Sequence, residues 1–409
     1  MPIQSNKNGK GGEDMIQKLA AKKMVITGDY AAAYGALLAD AEVVAAYPIT
    51  PQTLIVEDFA RFVDDGITDA EFIMVESEHS AMSAVIASEA AGARSFTATS
   101  SQGLALMHEM LPVASGLHLP IVMPVVNRTV AAPIGIWCEY NDMLPQRDSG
   151  WIMAFIEDNQ EVLDMVIMGY KIAEHHDVLL PLMFGLDAFI LSHTVEPVEA
   201  PSSDEVMDFL PPYKPIAILD PENPMAIGTF TPPEYIQEER YQTNRCMKNA
   251  KNIIKKVTKE FADKFGRNYH GLIEEYETED AEYILITVGT VTGTARDIVD
   301  ELRSKGIKAG LIKLRFIRPF PMEELRRVVE KGKLKALGVY DRAISYGVAG
   351  PIYIEVRNAL YGFDLPIYNF LAGIGGRDVV IDDVRKMYDI MIKGKEEKIV
   401  WMNTRGVKE

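Results

Sequence analysis

The stretch "AAYPITPQTLIVEDF", residues 45–59, sets two prolines and a threonine at the corner where an apolar run gives way to a helix-like one. Proline restricts φ and removes a backbone donor, so such a corner ends a strand and stiffens the turn that follows. A strand, a short turn and a helix together form the repeating unit of a parallel α/β sheet.

The same alternation extends outward on both sides. Between residue 24 and about residue 198 the apolar runs 43–47, 72–75, 95–98, 121–126 and 179–184 read as strands. The segments between them, such as "DYAAAYGALLAD" and "EHSAMSAVIASEAAGA", have helical composition. The second is rich enough in Ala, Ser and Gly for another element, or another subunit, to approach its backbone closely. A proline-dense stretch then marks a connector wrapped on the surface. After it, Met247, Ala250, Ile254, Val257, Phe261 and Phe265 recur at helical spacing and Gly266 supplies a stop. From residue 281 a second α/β block begins with "YILITVG". The expected organisation is a flexible tail 1–23, a parallel-sheet domain 24–198, a connector with an amphipathic helix 199–280, a smaller α/β domain 281–395 and a C-terminal tail 396–409.

Composition narrows the function. With 42 Lys and Arg against 59 Asp and Glu, the net charge of -17 repels phosphate backbones and anionic membranes, which argues against nucleic-acid binding. Two cysteines, Cys138 and Cys246, stand far apart without a CxxC, so no disulfide framework, zinc knuckle or iron–sulfur signature is present. No stretch reaches the ~20 apolar residues of a membrane span, so a soluble cytoplasmic protein without membrane insertion is expected.

In open α/β sheets, ligands bind beyond the carboxyl ends of the strands. Four such ends carry polar punctuation: residues 48–53, "ESEHS" at 76–80, "TSSQG" at 99–103 and "NRT" at 127–129. Each could be ordinary turn chemistry, but neighbouring strands would bring all four to one rim. Glu78 would open a helix capped by Ser77, and a carboxyl there in an apolar pocket suits acid–base work; a plain helix-terminus carboxylate is the bland reading. Glu76 competes for the same role. Arg128, at the end of an apolar strand, can clamp a carboxylate with two hydrogen bonds, or form a surface salt bridge. His79 reads as packing or capping. "GTVTGTA" at 289–295 could cradle a phosphate at a helix start or be a tight turn, and "GIGGRD" at 373–378 is a turn.

The motifs "AAYPITPQT", "VESEHSAM", "TATSSQGLALMHEM", "PIVMPVVNR", "RDSGW" and "GLDAFILSH" together resemble the alpha subunit of the 2-oxoacid:ferredoxin oxidoreductases, most closely the pyruvate type. The likeness runs from about residue 25 to residue 383. It implies that the first domain is the pyrimidine-binding half of a thiamine diphosphate site and that the second is like the C-terminal domain of transketolases. Glu78 matches the family's glutamate, which hydrogen-bonds N1′ of the aminopyrimidine. Thr50 and Arg128 match its substrate-holding pair, with Asn127 beside them, and Tyr47, Pro48, Ser101 and Gln102 would complete the cofactor's surroundings.

The implied reaction is oxidative decarboxylation of a 2-oxo acid with coenzyme A to an acyl-CoA and carbon dioxide, electrons passing to ferredoxin. This chain has neither a GDG-type diphosphate motif nor cluster cysteines. The resemblance therefore implies a beta subunit supplying diphosphate contacts, Mg²⁺ and a [4Fe-4S] cluster, with gamma and delta-type subunits. A self-sufficient transketolase-like enzyme would need the missing motif, and a non-catalytic scaffold would be expected to lose Glu78, Thr50 and Arg128. One departure stands out: where pyruvate-type relatives carry a bulky aromatic, residues 131–142 read "AAPIGIWCEYND", with Ile134, Gly135, Glu139 and Tyr140. A larger pocket for 2-oxoisovalerate or phenylglyoxylate is the alternative to pyruvate.

Overall fold

The computed structural model describes residues 19–331 and 333–406. Most of the expected N-terminal tail, residues 1–18, and residues 407–409 lie outside them.

A seven-stranded sheet forms the centre of the first unit, in the order β12-β6-β7-β5-β4-β2-β3. Its strands are β2 (Val43–Ala46), β3 (Glu71–Met74), β4 (Ser95–Phe96), β5 (Val122–Asn127), β6 (Ile152–Phe155), β7 (Leu182–Asp187) and β12 (Phe316–Arg318). All pair in parallel except β12, which runs antiparallel to β6. β5, β6 and β7 are buried along their whole length, as continuous apolar runs covered on both faces must be. Helices α1 (Gly28–Leu38), α2 (Thr53–Asp64), α3 (Glu78–Ala90), α4 (Ser101–Met107), α5 (Leu111–Gly116) and α6 (Asn159–Ala173) surround it. From β2 the chain crosses to β3 on one side and returns to β4 on the other, so the order reverses between β2 and β4. The crevice at their carboxyl ends is the switch point where such sheets bind ligands.

A ribbon of β1 (Lys22–Thr27) and β8 (Val195–Ala200) lies beside this unit. The connector then carries α7 (Ser203–Phe209) and the long α8 (Pro233–Phe265). α8 buries Ala250, Ile254, Val257 and Phe261 and ends at Gly266, whose φ of 74° is the left-handed cap expected there.

The second unit is a six-stranded sheet ordered β15-β14-β13-β10-β11-β9. Its strands are β9 (Ile273–Tyr276), β10 (Tyr283–Thr287), β11 (Ala309–Leu314), β13 (Ala336–Asp341), β14 (Ile367–Leu371) and β15 (Ile399–Trp401). Around it lie α9 (Val291–Ser304), α10 (Met322–Glu330), α11 (Pro351–Ala359) and α12 (Ile381–Lys393). The expected boundaries shift in three places. β9 opens the second sheet inside the segment read as connector, β15 closes it inside the segment read as tail, and β12 leaves it to join the first sheet. Among the described residues no helix is long and apolar enough to cross a membrane.

Candidate active site

The corner at residues 47–52 leaves Tyr47, Pro48 and Thr50 exposed at the end of β2, and the Thr50–Pro51 peptide is cis. Gln52, wholly buried, holds it in place: its Oε1 accepts from Ile49 N at 3.1 Å and its Nε2 donates to Ala98 O at 2.8 Å. That second bond fastens the β2 corner to the end of β4, on the far side of the crevice.

Ser77 caps α3, accepting from Ser80 N at 3.2 Å, and Glu78 is the first helical residue. Glu78 is buried, whereas Glu76 is exposed and accepts from Ser80 Oγ at 2.8 Å, a bond that holds its carboxyl below the ordinary value. The structure thus separates two carboxylates that spacing left equivalent. Glu78 lies against α4 where Gly103 stands. A Cβ at Gly103 would come within 2.7 Å of Glu78 Oε1 and 2.5 Å of Thr99 Oγ1, so the absence of a side chain there is what lets the carboxylate in. His79 makes a surface contact with Glu109 at 3.3 Å.

Arg128, buried at the end of β5, reaches across the end of β4. Its Nη1 donates to Thr50 O at 2.6 Å and its Nη2 to Gln102 Oε1 at 3.0 Å. This contact fixes the orientation of the Gln102 amide, because a flip would set NH₂ against a guanidinium. Burial lowers the Arg128 pKa from its ordinary value while the carboxylates of Asp142 and Glu78 oppose the shift, and arginine stays charged throughout. Among the described residues Arg128 forms no surface salt bridge; both terminal nitrogens go to neutral oxygens.

Ser101 opens α4 with φ of 49°, a left-handed backbone uncommon outside glycine. Its Oγ sits 2.6 Å from Thr129 O and 2.5 Å from Gln102 Oε1. Asn127 donates from Nδ2 to Asp142 Oδ1 at 3.0 Å. Of the nominated residues, Thr50, Ser101, Gln102, Asn127 and Arg128 therefore form one connected network, with Glu78 close enough for its charge to act on Arg128. Tyr47 and Pro48 stay on the exposed rim. Asp142 binds this network together and Gln52 holds the corner that carries Thr50; the only signal either gives in sequence is a polar residue inside a motif.

Loop 131–142 divides in two. Ile134 and Trp137 are exposed at its tip, while Cys138, Glu139 and Tyr140 are buried. Ala131, Ala132, Glu139 and Asn141 line a cavity of about 500 Å³ closed by Ile344, Ser345 and Tyr346 of the second unit. Burial raises the Glu139 carboxyl, against the Thr129 hydroxyl and the Gly375 N–H.

The "GTVTGTA" turn is not open to a phosphate. It lies at the end of β10, beside β13 where the second sheet reverses its order, and that crevice is filled by the first unit. Asp187 accepts from Tyr140 Oη at 2.6 Å, from Thr290 Oγ1 and from Arg342 Nη1 at 3.1 Å. A Cβ at Gly289, φ 66°, would fall 2.2 Å from Tyr140 Oη. A carboxylate already occupies the place where an anion would sit. "GIGGRD" is a turn, with Gly373, Gly375 and Gly376 all at positive φ.

The residues at the first crevice suit a polar heteroaromatic cofactor with an anionic substrate beside it. Glu78 offers a buried carboxylate, and the buried Thr99 Oγ1, Ser100 Oγ and Arg128 Nε have no hydrogen-bond partner among the described residues. No group of three or more His, Cys, Asp or Glu among the described residues could hold a metal.

Residues 34–259 match the family model of pyruvate flavodoxin/ferredoxin oxidoreductase, thiamine diphosphate-binding, and residues 281–384 match pyruvate:ferredoxin oxidoreductase core domain II. The chain is 47% identical over 385 residues to pyruvate synthase subunit PorA of Methanothermobacter thermautotrophicus, covering 94% of this chain and 98% of that one. It is also 47% identical over 391 residues to ketoisovalerate oxidoreductase subunit VorA of Pyrococcus horikoshii, covering 94% and 98%. A solved 2-oxoglutarate:ferredoxin oxidoreductase from Magnetococcus marinus, with 2-oxoglutarate, coenzyme A and succinyl-CoA bound, superposes with a TM-score of 0.72 at 19% identity. That likeness covers 90% of this chain, which spans 65% of the solved one, and is a likeness of fold.

Proposed function

The chain belongs to the pyruvate flavodoxin/ferredoxin oxidoreductase family, and from that membership we propose that it is the alpha-type subunit of a multisubunit, coenzyme A-dependent 2-oxo acid oxidoreductase acting on pyruvate. The supporting observation is the convergence of Glu78, Thr50 and Arg128, carried by three different strand ends, on the crevice where the first sheet reverses its order. A scaffold that had kept only the fold would have no reason to hold these three together.

Thiamine diphosphate, when bound, supplies the electron sink that decarboxylation of a 2-oxo acid requires. The chain's own residues prepare its surroundings. Glu78 would hold the aminopyrimidine and share a proton with it. Arg128, tethered by Thr50 O and Gln102, keeps further N–H groups to bind the substrate carboxylate. The Thr50 hydroxyl, on the exposed rim, would bind the same substrate, and the stiff corner behind it leaves little entropy to lose on binding. A beta-type partner would supply diphosphate contacts, Mg²⁺ and a [4Fe-4S] cluster. Gamma and delta-type subunits would carry electrons to ferredoxin in the cytoplasm.

A second reading, a branched or aryl 2-oxo acid, is favoured by one observation: the equal 47% identity to a pyruvate and to a ketoisovalerate enzyme subunit. The test is viologen reduction by the intact complex with coenzyme A and a panel of pyruvate, 2-oxobutyrate, 2-oxoisovalerate, 2-oxoglutarate, phenylglyoxylate and indolepyruvate. The highest kcat/KM is expected for pyruvate. A preference for 2-oxoisovalerate or phenylglyoxylate would transfer the role to the second reading, and no activity with any acid would refute both.

A further inference from the structure

Asp142 is buried, and both oxygens of its carboxylate are engaged by N–H groups from separate parts of the fold. Oδ2 accepts from Ser101 N at 3.1 Å and Arg128 N at 2.9 Å. Oδ1 accepts from Asn127 Nδ2 at 3.0 Å and Met143 N at 2.7 Å. One side chain therefore ties the start of α4, the end of β5 and the chain beyond loop 131–142 to a single point.

Two features show what this tie holds. Ser101 keeps its left-handed backbone only because its surroundings over-determine it, and its N–H to Asp142 is one of those constraints. Arg128 is anchored at both ends: the main chain by Asp142, the guanidinium by Thr50 O and Gln102 Oε1. Gln102 in turn follows Ser101. Loss of the Asp142 contacts would release the Arg128 backbone and the Gln102 partner together.

We infer that Asp142 is a positioning residue for substrate binding, fixing the Arg128 guanidinium and the Ser101–Gln102 turn in the arrangement that receives the carboxylate of the 2-oxo acid. This rests on the function proposed above. The hydrogen bonds of the Asp142 carboxylate run to Ser101, Arg128, Asn127 and Met143, so its main effect falls on the Arg128 side of the crevice. Burial pushes its carboxyl up to about 6, opposed by the same N–H groups, so at neutral pH it is ionised and an acceptor on both oxygens.

The test is steady-state kinetics of the intact complex carrying Asp142→Asn. The carboxamide has the same shape, but its NH₂ must face one of the two donor pairs, so that side of the tie is broken. The KM for the 2-oxo acid is expected to rise at least tenfold, with kcat within threefold. Arg128→Ala in parallel supplies the reference for lost carboxylate binding. A wild-type complex without 2-oxo acid oxidation would overturn the functional reading itself. An active wild type, a raised KM in Arg128→Ala and an unmoved KM in Asp142→Asn would overturn the role of Asp142 alone. If Asp142→Asn fails to assemble, Asn127→Ala removes a single donor and should raise KM two- to fivefold at constant kcat; equal changes in both variables, or none, would refute the inference.

Discussion

Arg128 reaches over the end of β4 to the main-chain carbonyl of Thr50, 2.6 Å from Nη1, so the two residues proposed to hold the substrate position each other before any substrate arrives. Because the acceptor is the carbonyl, the Thr50 hydroxyl is left for other work. Thr50→Ala should keep the tether and report the hydroxyl alone, lowering kcat/KM about tenfold, while Arg128→Ala removes charge-assisted bonds and should lower it about 10- to 100-fold further. Kinetics of both variants at saturating coenzyme A check this; equal losses would mean that the hydroxyl and the guanidinium act as one unit.

Gly103 makes room for Glu78. In Gly103→Ala the added methyl would lie 2.7 Å from Glu78 Oε1 and must displace the carboxylate or Thr99. Turnover should fall about 10- to 100-fold with only a small change in melting temperature, since a misplaced catalytic group costs far more in rate than one methyl costs in stability. Activity and thermal denaturation of the same preparation give both quantities.

Much of this arrangement was legible in the sequence, and the exceptions share a cause. The strands around 43–47, 121–126 and 179–184, the Ser77 cap and the Gly266 stop are local, written in apolar runs and in single residues with fixed conformational preferences. The pairing of β12 with β6 joins residues more than 150 positions apart, and neither three- nor four-residue run carries a sign of its partner. The ribbon β1–β8 was cut by the boundaries at 23 and 198 for the same reason. At the site, motif positions located Glu78 and Arg128. Asp142, Gln52 and Asp187 act through backbone N–H and C=O groups or through a second unit, whose positions only the folded chain supplies.

The two units are held together at Asp187, which Tyr140, Thr290 and Arg342 all address. Asp187→Ala would leave the Arg342 guanidinium buried without its carboxylate, a loss of about 3–5 kcal/mol. Tyr140→Phe removes one hydrogen bond and should cost about 1 kcal/mol. Denaturant unfolding of the isolated chain would measure both; a loss below ~1 kcal/mol in Asp187→Ala would show that the hub contributes little to the union of the units.

Glu161 gives the chain an acid limit. Burial alone would raise its carboxyl, but Lys313 and Arg315 outweigh it and bring the pKa down to about 2. A folded pKa below the unfolded value stabilises the protein above about pH 4.5. That contribution is lost as pH falls through 2. Glu161→Gln should therefore destabilise strongly at pH 7 and by a shrinking margin below pH 4. Melting temperatures of wild type and variant across pH 2.5 to 7 test this; a constant difference would contradict the assignment.

On the proposed function, Glu78 works on the cofactor ring. The most direct measurement is made on an intact Glu78→Gln complex, combining calorimetric titration with thiamine diphosphate and turnover with the preferred 2-oxo acid. Binding within a few-fold of wild type with turnover lowered about 10²- to 10⁴-fold is the expected result, because an amide cannot share the proton a carboxylate shares. Near-normal turnover would contradict it and remove Glu78 from the reaction.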